Sequence, residues 1–209
     1  MALRLIPLFP LPVVVFPRTP LPLHIFEDRY KTMVGEAMTA NSEFGMVLAS
    51  KEGIVNAGCT VSVEKVVERY PDGRLDILTR GQHRFEIVAL NEEKDYLQGE
   101  VTYFDDDDFA PVPAELREQA IARYQEMGDL SEGQARGEPD LNDPQLSFQL
   151  AQGLPDLNFL NGLLRQRSES DRLKQLTRYL IDYIPKQRAT ERIRELAPRN
   201  GFGRKLAGL

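Results

Sequence analysis

The sequence predicts an α+β protein, a small β-barrel with one inserted helix followed by a C-terminal α-helical bundle. Three observations carry that prediction. In the first half, short segments rich in β-branched and aromatic residues alternate with polar positions, the period of a strand with one buried face. Inside that half, Glu27 to Ala40 switches to helical spacing through Tyr30, Met33, Val34, Ala37 and Met38. Beyond about residue 110 the strand period gives way to leucines spaced three or four apart. The boundaries that follow are a barrel over 1–108, a helical subdomain over 109–196 and a basic C-terminal tail over 197–209.

The opening segment is dominated by proline. Pro7, Pro10, Pro12, Pro17, Pro20 and Pro22 each lack a ladder donor and fix φ, so this stretch is expected as edge strand, bulge or extended loop, lying over the barrel as a rigid strap. Phe44 to Ala49 and Thr60 to Arg69 read as strands. Pro71, Asp72, Gly73 and Arg74 then form a turn with glycine where a positive φ is needed, and Leu75 to Thr79 returns as the second arm of a hairpin. After Gly81, His83 to Leu90 and Tyr96 to Phe104 add further alternating strands, and several short strands in succession suggest closure into a barrel.

The acidic run Asp105 to Asp108, with Pro111 and Pro113 behind it, marks the end of the barrel and is expected to be a solvated linker. Leu116, Ala120, Tyr124 and Met127 lie on one helical face. Gly128 to Pro144 is polar, with three glycines and two prolines, and is expected to be a mobile excursion. Helices resume at Gln145 to Gly153 and at Asp156 to Arg167, with Asp156 as N-cap. Ser168 followed by Asp171 starts the last long helix. Its stripe, Leu173, Leu176, Leu180, Ile181 and Ile184, runs until Pro185 is expected to interrupt it, and it either packs within the chain or pairs with a second copy, so the oligomeric state stays open.

Composition narrows the function. The chain has 209 residues, 42% hydrophobic and 28% charged, with 10 Phe, 7 Tyr and no Trp, the profile of a globular domain rather than a fibre or a disordered tail. One cysteine, Cys59, rules out an intrachain disulfide and favours a reducing compartment; with no apolar run of about 20 residues to cross a bilayer, a cytoplasmic location without membrane partners is expected. Net charge is −6, concentrated in residues 1–110, which carry 11 Lys/Arg against 18 Asp/Glu. That balance argues against nucleic acid as a partner, although Pro185 to Leu209 has seven Lys/Arg against two Asp/Glu and keeps RNA binding as the alternative.

The reactive inventory is thin. Two histidines, His24 and His83, and one thiol at no metal-ligand spacing give no zinc site, and there is no GxxxxGK[ST] loop, GxSxG elbow or HExxH helix. Cys59, between Gly58 and a run of alternating valines, reads as a packed structural thiol. No cofactor, metal or catalytic residue is expected. His24 lies between leucine and isoleucine and reads as a partly buried imidazole bonded to backbone. Glu27 is expected to pair with Arg84 or Arg29 and tie the inserted helix to the barrel.

These residues also carry a resemblance. PLFPLPVVVFPRTPLPLHIFEDRY (Pro7 to Tyr30), GCTVSVEKV (Gly58 to Val66), DGRLDILTRGQHRFEI (Asp72 to Ile87) and a strand near Tyr96 to Val101 together resemble the N-terminal substrate-binding domain of Lon proteases. Pro10, Pro12, Phe16, Pro17, Leu21, Pro22, Leu23, Phe26, Glu27, Arg29 and Tyr30 fit the family's opening motif, and Gly81, Arg84 and Phe85 its second; Leu146, Ala151, Leu154, Leu163, Leu164, Arg172 and Leu173 extend the likeness into the helical half. The resemblance implies a PUA-like barrel plus a helical subdomain that recognises unfolded or tagged polypeptides, as in stand-alone Lon-domain proteins and the related N-terminal part of cereblon. It brings no ATPase or peptidase residues. The function expected is therefore a non-enzymatic polypeptide-binding or adaptor module whose partner is an unfolded or partly folded polypeptide or another protein. Its candidate binding or motif residues are Phe16, Pro17, His24, Phe26, Glu27, Arg29, Tyr30 and Arg84, with the rings on the proline-stiffened segment offering contact at little conformational cost.

Overall fold

A computed structural model describes residues 3–128 and 139–196. Six strands and five helices follow one another as β1 (Arg4–Leu11), β2 (Pro20–Ile25), α1 (Asp28–Ala40), β3 (Phe44–Ser50), β4 (Gly53–Arg69), β5 (Leu75–Asn91), β6 (Gln98–Phe104), α2 (Ala114–Gly128), α3 (Leu146–Ala151), α4 (Leu157–Arg165) and α5 (Glu169–Leu196). The α+β architecture is the one expected. The sheet order is β2-β5-β4-β3-β1-β6, and an added β5–β6 pairing closes the ring. Strand β5 makes closure possible because it is 17 residues long: Leu75 to Arg80 pair with β2, and Arg84 to Asn91 pair with β6.

The proline-rich segment is not a strap. Its ends are strands β1 and β2, and only residues 12–19 cross between them. β1 sits inside the sheet because its two halves have different neighbours, Arg4 to Pro7 pairing antiparallel with β6 and Leu8 to Leu11 pairing parallel with β3. A strand paired on one side at a time leaves its other edge free, so Pro7 and Pro10 each fit where no donor is needed. Strand β2 pairs with β5 alone and is a true edge. The crossing residues are pinned by Gly81, whose N–H donates to the Thr19 carbonyl at 3.0 Å and whose carbonyl accepts from Arg18 N–H at 2.8 Å. A Cβ at Gly81 would stand 2.0 Å from the Phe16 carbonyl oxygen, so only glycine permits this approach.

Two apolar clusters form the interior. The smaller lies inside the ring and comprises Ile6, Leu8, Val47, Phe85 and Val101. The larger runs from Phe9, Tyr30 and Phe44 through Phe16 and Phe148 to Leu173, Leu176, Leu180 and Ile184 of α5, so barrel, α1 and helical subdomain share it. The α5 stripe therefore packs within the chain, except for Ile181, which is exposed. Pro185 lies inside α5 rather than ending it. Asp156 caps α4, accepting from Phe159 N–H at 2.9 Å, and Gly73 has the positive φ the turn requires. The excursion expected over Gly128 to Pro144 falls mostly on residues 129–138, outside the described residues, as does the tail over 197–209.

Candidate functional site

The eight candidate residues separate into three environments. Phe16, Pro17 and Tyr30 are buried and serve packing: Phe16 stacks on Phe148 with centroids 4.8 Å apart, and Tyr30 stacks on Phe9 at 4.1 Å. Arg84 is buried at the junction between barrel and helices. His24, Phe26, Glu27 and Arg29 remain on or near the surface at the end of β2 and the start of α1.

The junction is an ion network. Arg84 is 1% exposed. Its Nη2 donates to Asp106 Oδ1 at 2.6 Å, and its Nη1 donates to the carbonyls of Leu164 and Gln166 at 3.0 and 2.8 Å. Those two carbonyls belong to the end of α4, where helix acceptors have no intrahelical donor, so a barrel arginine closes a helix of the other subdomain. Arg172 approaches the same carboxylate from α5, donating from Nη1 to Oδ1 and from Nη2 to Oδ2, both at 2.6 Å. Its Nη2 also donates to Glu169 Oε2 at 2.8 Å, while Glu169 accepts from Ser147 N–H at 2.8 Å and Ser147 Oγ at 2.6 Å. Two guanidiniums and two carboxylates balance, which is what makes burial tolerable. Burial alone would raise the Asp106 pKa, but hydrogen bonds from Arg172 and Gln145, with the charges of Arg172 and Arg84, hold it down at about 2. In Glu169 burial wins, and the pKa is raised despite Ser147 and Arg172. The guanidiniums of Arg84 and Arg172 also lie 5.5 and 4.4 Å from the Phe148 ring centroid.

This corrects two expectations. The aspartate run is not simply a solvated linker, because Asp106 turns inward as the common anion of the network. Of the two partners expected for Glu27 it takes Arg29, whose Nη2 donates to Oε2 at 2.8 Å, and not Arg84, and this half-exposed pair two residues apart does not tie the helix to the barrel.

The surface group is an aromatic rim. Phe26 is 58% exposed in the link between β2 and α1. Its ring stacks toward His24 at 5.9 Å, and His24 meets Tyr70 edge-on at 5.9 Å. His24 is not bonded to backbone: its cross-strand partner is Asp76, with Nδ1 to Oδ1 at 2.6 Å, and Tyr70 hydroxyl donates to Asp76 Oδ2 at 2.7 Å. Those two hydrogen bonds, Tyr70 first, lower the Asp76 pKa, so the carboxylate is ionised and can only accept. His24 must therefore donate from Nδ1, which leaves Nε2 as its outward nitrogen. Arg74 covers the Tyr70 ring at 4.8 Å, and Lys31 from α1 reaches the Asp72 carbonyl, fixing the hairpin turn beside the helix. Tyr70, Arg74 and Asp76 were not among the sequence candidates; the only cue was the DG turn that places them beside His24.

The one thiol is not available as a nucleophile. Cys59 is fully buried, and burial pushes its thiol up to about 12, which removes the thiolate. Among the described residues no three His, Cys, Asp or Glu side chains gather to hold a metal, and no helix is long and apolar enough to cross a membrane.

A closed sheet latched to helices, with the Phe26 ring open to solvent beside His24 and Tyr70, defines an α+β module that presents a surface. The chain belongs to the family of the ATP-dependent protease La (LON) substrate-binding domain, whose model matches residues 5–196. Its relatives include Lon protease of Parabacteroides distasonis, 30% identical over 110 residues that make up 48% of this chain and 13% of that one. Lon protease of Roseiflexus castenholzii is 29% identical over 137 residues, 61% of this chain and 17% of the relative. The matched region is thus less than a fifth of the length of either relative. A crystal structure of a Lon N-terminal domain protein from Xanthomonas campestris superposes with a TM-score of 0.67 at 26% identity, covering 83% of this chain and 96% of that one. The N-terminal domain of Lon protease from the Mycobacterium avium complex shares the fold, with a TM-score of 0.61 at 18% identity over 87% and 98% of the two chains.

Proposed function

We propose that this chain is a polypeptide-binding or adaptor module that docks unfolded or partly folded polypeptides on the rim formed by Phe26, His24 and Tyr70, without ATPase or peptidase chemistry of its own, and that it works in the cytoplasm. The exposure of Phe26 carries this reading. A solvated phenylalanine at the mouth of a rigid hairpin and helix costs hydration free energy with no return in folding, and it returns that cost when a partner covers it. The rim is preorganised: Asp76 fixes His24 and Tyr70, and the β2–β5 ladder fixes Asp76, so little side-chain entropy is lost on docking. Membership of a substrate-binding family supports the same reading, as does the pairing of apolar rings with Arg29, Arg74 and Glu27, which suits a chain of mixed composition.

The test is titration of the protein with reduced, carboxymethylated lactalbumin as an unfolded chain. Saturable binding is expected, weakened about tenfold by Phe26→Ser, the loss that removal of a central apolar anchor produces. Binding that ignores Phe26→Ser refutes the rim as the docking surface, and absence of binding at high micromolar concentration refutes the function.

A further inference from the structure

A second surface lies at the far end of α1, a helix of 13 residues that sets it about 20 Å from the rim. Two open clefts meet there. One, of about 860 Å³, is walled by Leu5, Pro7, His83 and Tyr103, and the other, of about 420 Å³, by Met38, Val63, Val66 and Gln82. Asn41, Ser42 and Glu43, which carry the chain from α1 into β3, line both. The helix cap fixes this shared wall. Asn41 takes the left-handed conformation at φ 47°, its N–H donating to the Met38 carbonyl at 3.4 Å, and Ser42 N–H donates to the Ala37 carbonyl at 2.9 Å.

The wall is an acceptor that lacks a cation. Glu43 commits one oxygen only: Oε2 accepts from Thr60 Oγ1 at 2.6 Å and meets His83 Nδ1 at 3.0 Å, while among the described residues nothing donates to Oε1. Its side chain remains 31% exposed. Beside it α1 ends with no basic residue in its last turn, so the partial negative charge of the helix C-terminus is uncompensated. The cations of the clefts do not answer this charge. Arg4 lies over the Tyr103 ring at 5.8 Å and is hydrogen-bonded to it, and Lys65 makes no ion pair among the described residues. The other carboxylate there, Glu64, is taken by Arg80.

We infer that this wall seats a lysine or arginine side chain of a bound polypeptide, its charge on Glu43 Oε1 at the end of α1 and its apolar neighbours in the clefts to either side. The inference rests on the polypeptide-binding function proposed above and gives it a second site with a charge requirement. An extended chain turns every second residue to the same face, about 7 Å apart. Apolar residues two positions before and after the basic one therefore fall against Leu5, Pro7 and Tyr103 on one side and Met38, Val63 and Val66 on the other. Charge complementarity selects the occupant. An acidic side chain would meet Glu43 and the helix end as like charges, and an apolar one would cover Oε1 without giving it a donor. The acidic half of the chain, 11 Lys/Arg against 18 Asp/Glu over residues 1–110, favours the same partner at longer range.

The probe is a fluorescein-labelled nonapeptide, amidated at its C-terminus, with one central lysine, leucine two positions to either side and serine elsewhere, and polarisation is read on the full chain. A second preparation carries the lysine acetylated, which removes the charge and keeps the length. The free lysine is expected to bind about fivefold more tightly, as a partly exposed ion pair and a helix end together allow. Glu43→Gln, which withdraws the charge, and Ser42→Lys, which places a cation in the same wall, are each expected to abolish that preference. If Glu43→Gln does not fold, Ser42→Lys decides alone. Equal binding of the two peptides overturns the inference, as does a lysine preference that survives either variant, or no binding of the lysine peptide at high micromolar concentration. If lactalbumin still binds through Phe26 in those cases, the rim stands alone. A lysine preference lost with Glu43, together with lactalbumin binding indifferent to Phe26, sustains the clefts and removes the rim.

Discussion

Arg84 is an arginine without solvent, and its usefulness follows from that. Every guanidinium nitrogen except Nε has an acceptor, and the acceptors come from the β6–α2 connection and the end of α4. Replacing it by methionine keeps much of the volume, strips the Leu164 carbonyl of its side-chain donor, leaves the Gln166 carbonyl to Arg172 alone and leaves Asp106 one guanidinium instead of two. Breaking one arm of a buried pair costs about 3 kcal/mol, so Arg84→Met is expected to lower unfolding free energy in urea by roughly that amount. Binding of lactalbumin, measured where the variant is still folded, is expected to be unchanged, since Arg84 does not touch the rim; intact stability would show the network to be decorative. The sequence singles out Arg84 as a charge among apolar neighbours and offers Glu27 either Arg84 or Arg29 as its partner; Glu27 takes Arg29. The true partner of Arg84, Asp106, is disguised as one of four consecutive aspartates, and only the third dimension distinguishes the one that faces inward. His24 was misjudged for a related reason: its apolar neighbours Leu23 and Ile25 point to the opposite face of β2, which period-two alternation allows, and His24 itself is free to meet Asp76.

At the scale of elements, periodicity located α1, the β4–β5 hairpin, α4 and the stripe of α5, because each is amphipathic and its buried face repeats. It failed where an element is built from residues that carry no pattern. Gly53 to Cys59 begins β4 with two glycines and an asparagine, and β1 and β2 are strands that carry two prolines each, tolerated where an edge has no ladder partner. The Pro185 misjudgement shows local propensity losing to tertiary packing. Leu173, Leu176, Leu180 and Ile184 hold α5 against the bundle, and the carbonyl that Pro185 leaves without a donor belongs to the exposed Ile181, where water can serve it. The ring of Pro185 is itself exposed and packs on nothing essential. Since proline in a helix interior costs about 3 kcal/mol relative to alanine, Pro185→Ala is expected to raise stability by about 1 kcal/mol or more. A thermal melt with lowered midpoint would mean that the proline itself is needed for packing.

For the molecule as a whole, barrel and helices are joined by the shared apolar core and by the ion network that crosses it. The sheet supplies Arg84, the connection supplies Asp106, and the helices supply Arg172, Glu169 and Ser147, so protonation at this junction weighs on the entire fold. Asp106 titrates at about 2 when folded, against an ordinary value of 3.8. The unfolded chain therefore binds the proton more readily, and its contribution is complete above about pH 4 and disappears as the pH falls toward about 2. A shift of that size is worth about 2 kcal/mol for a group this well enclosed. Glu169 works in the opposite sense, its raised pKa meaning that the charged form costs stability at neutral pH and that mild acid relieves the cost. Comparing the chain with Asp106→Asn separates the two. The unfolding free energies are expected to differ by about 2 kcal/mol at pH 6 and to converge as the pH drops through about 3, because the variant has no proton to take up. A gap of constant size across that interval would mean that the carboxylate holds barrel and helices together by shape and hydrogen bonding alone, and that its charge contributes nothing to the joint.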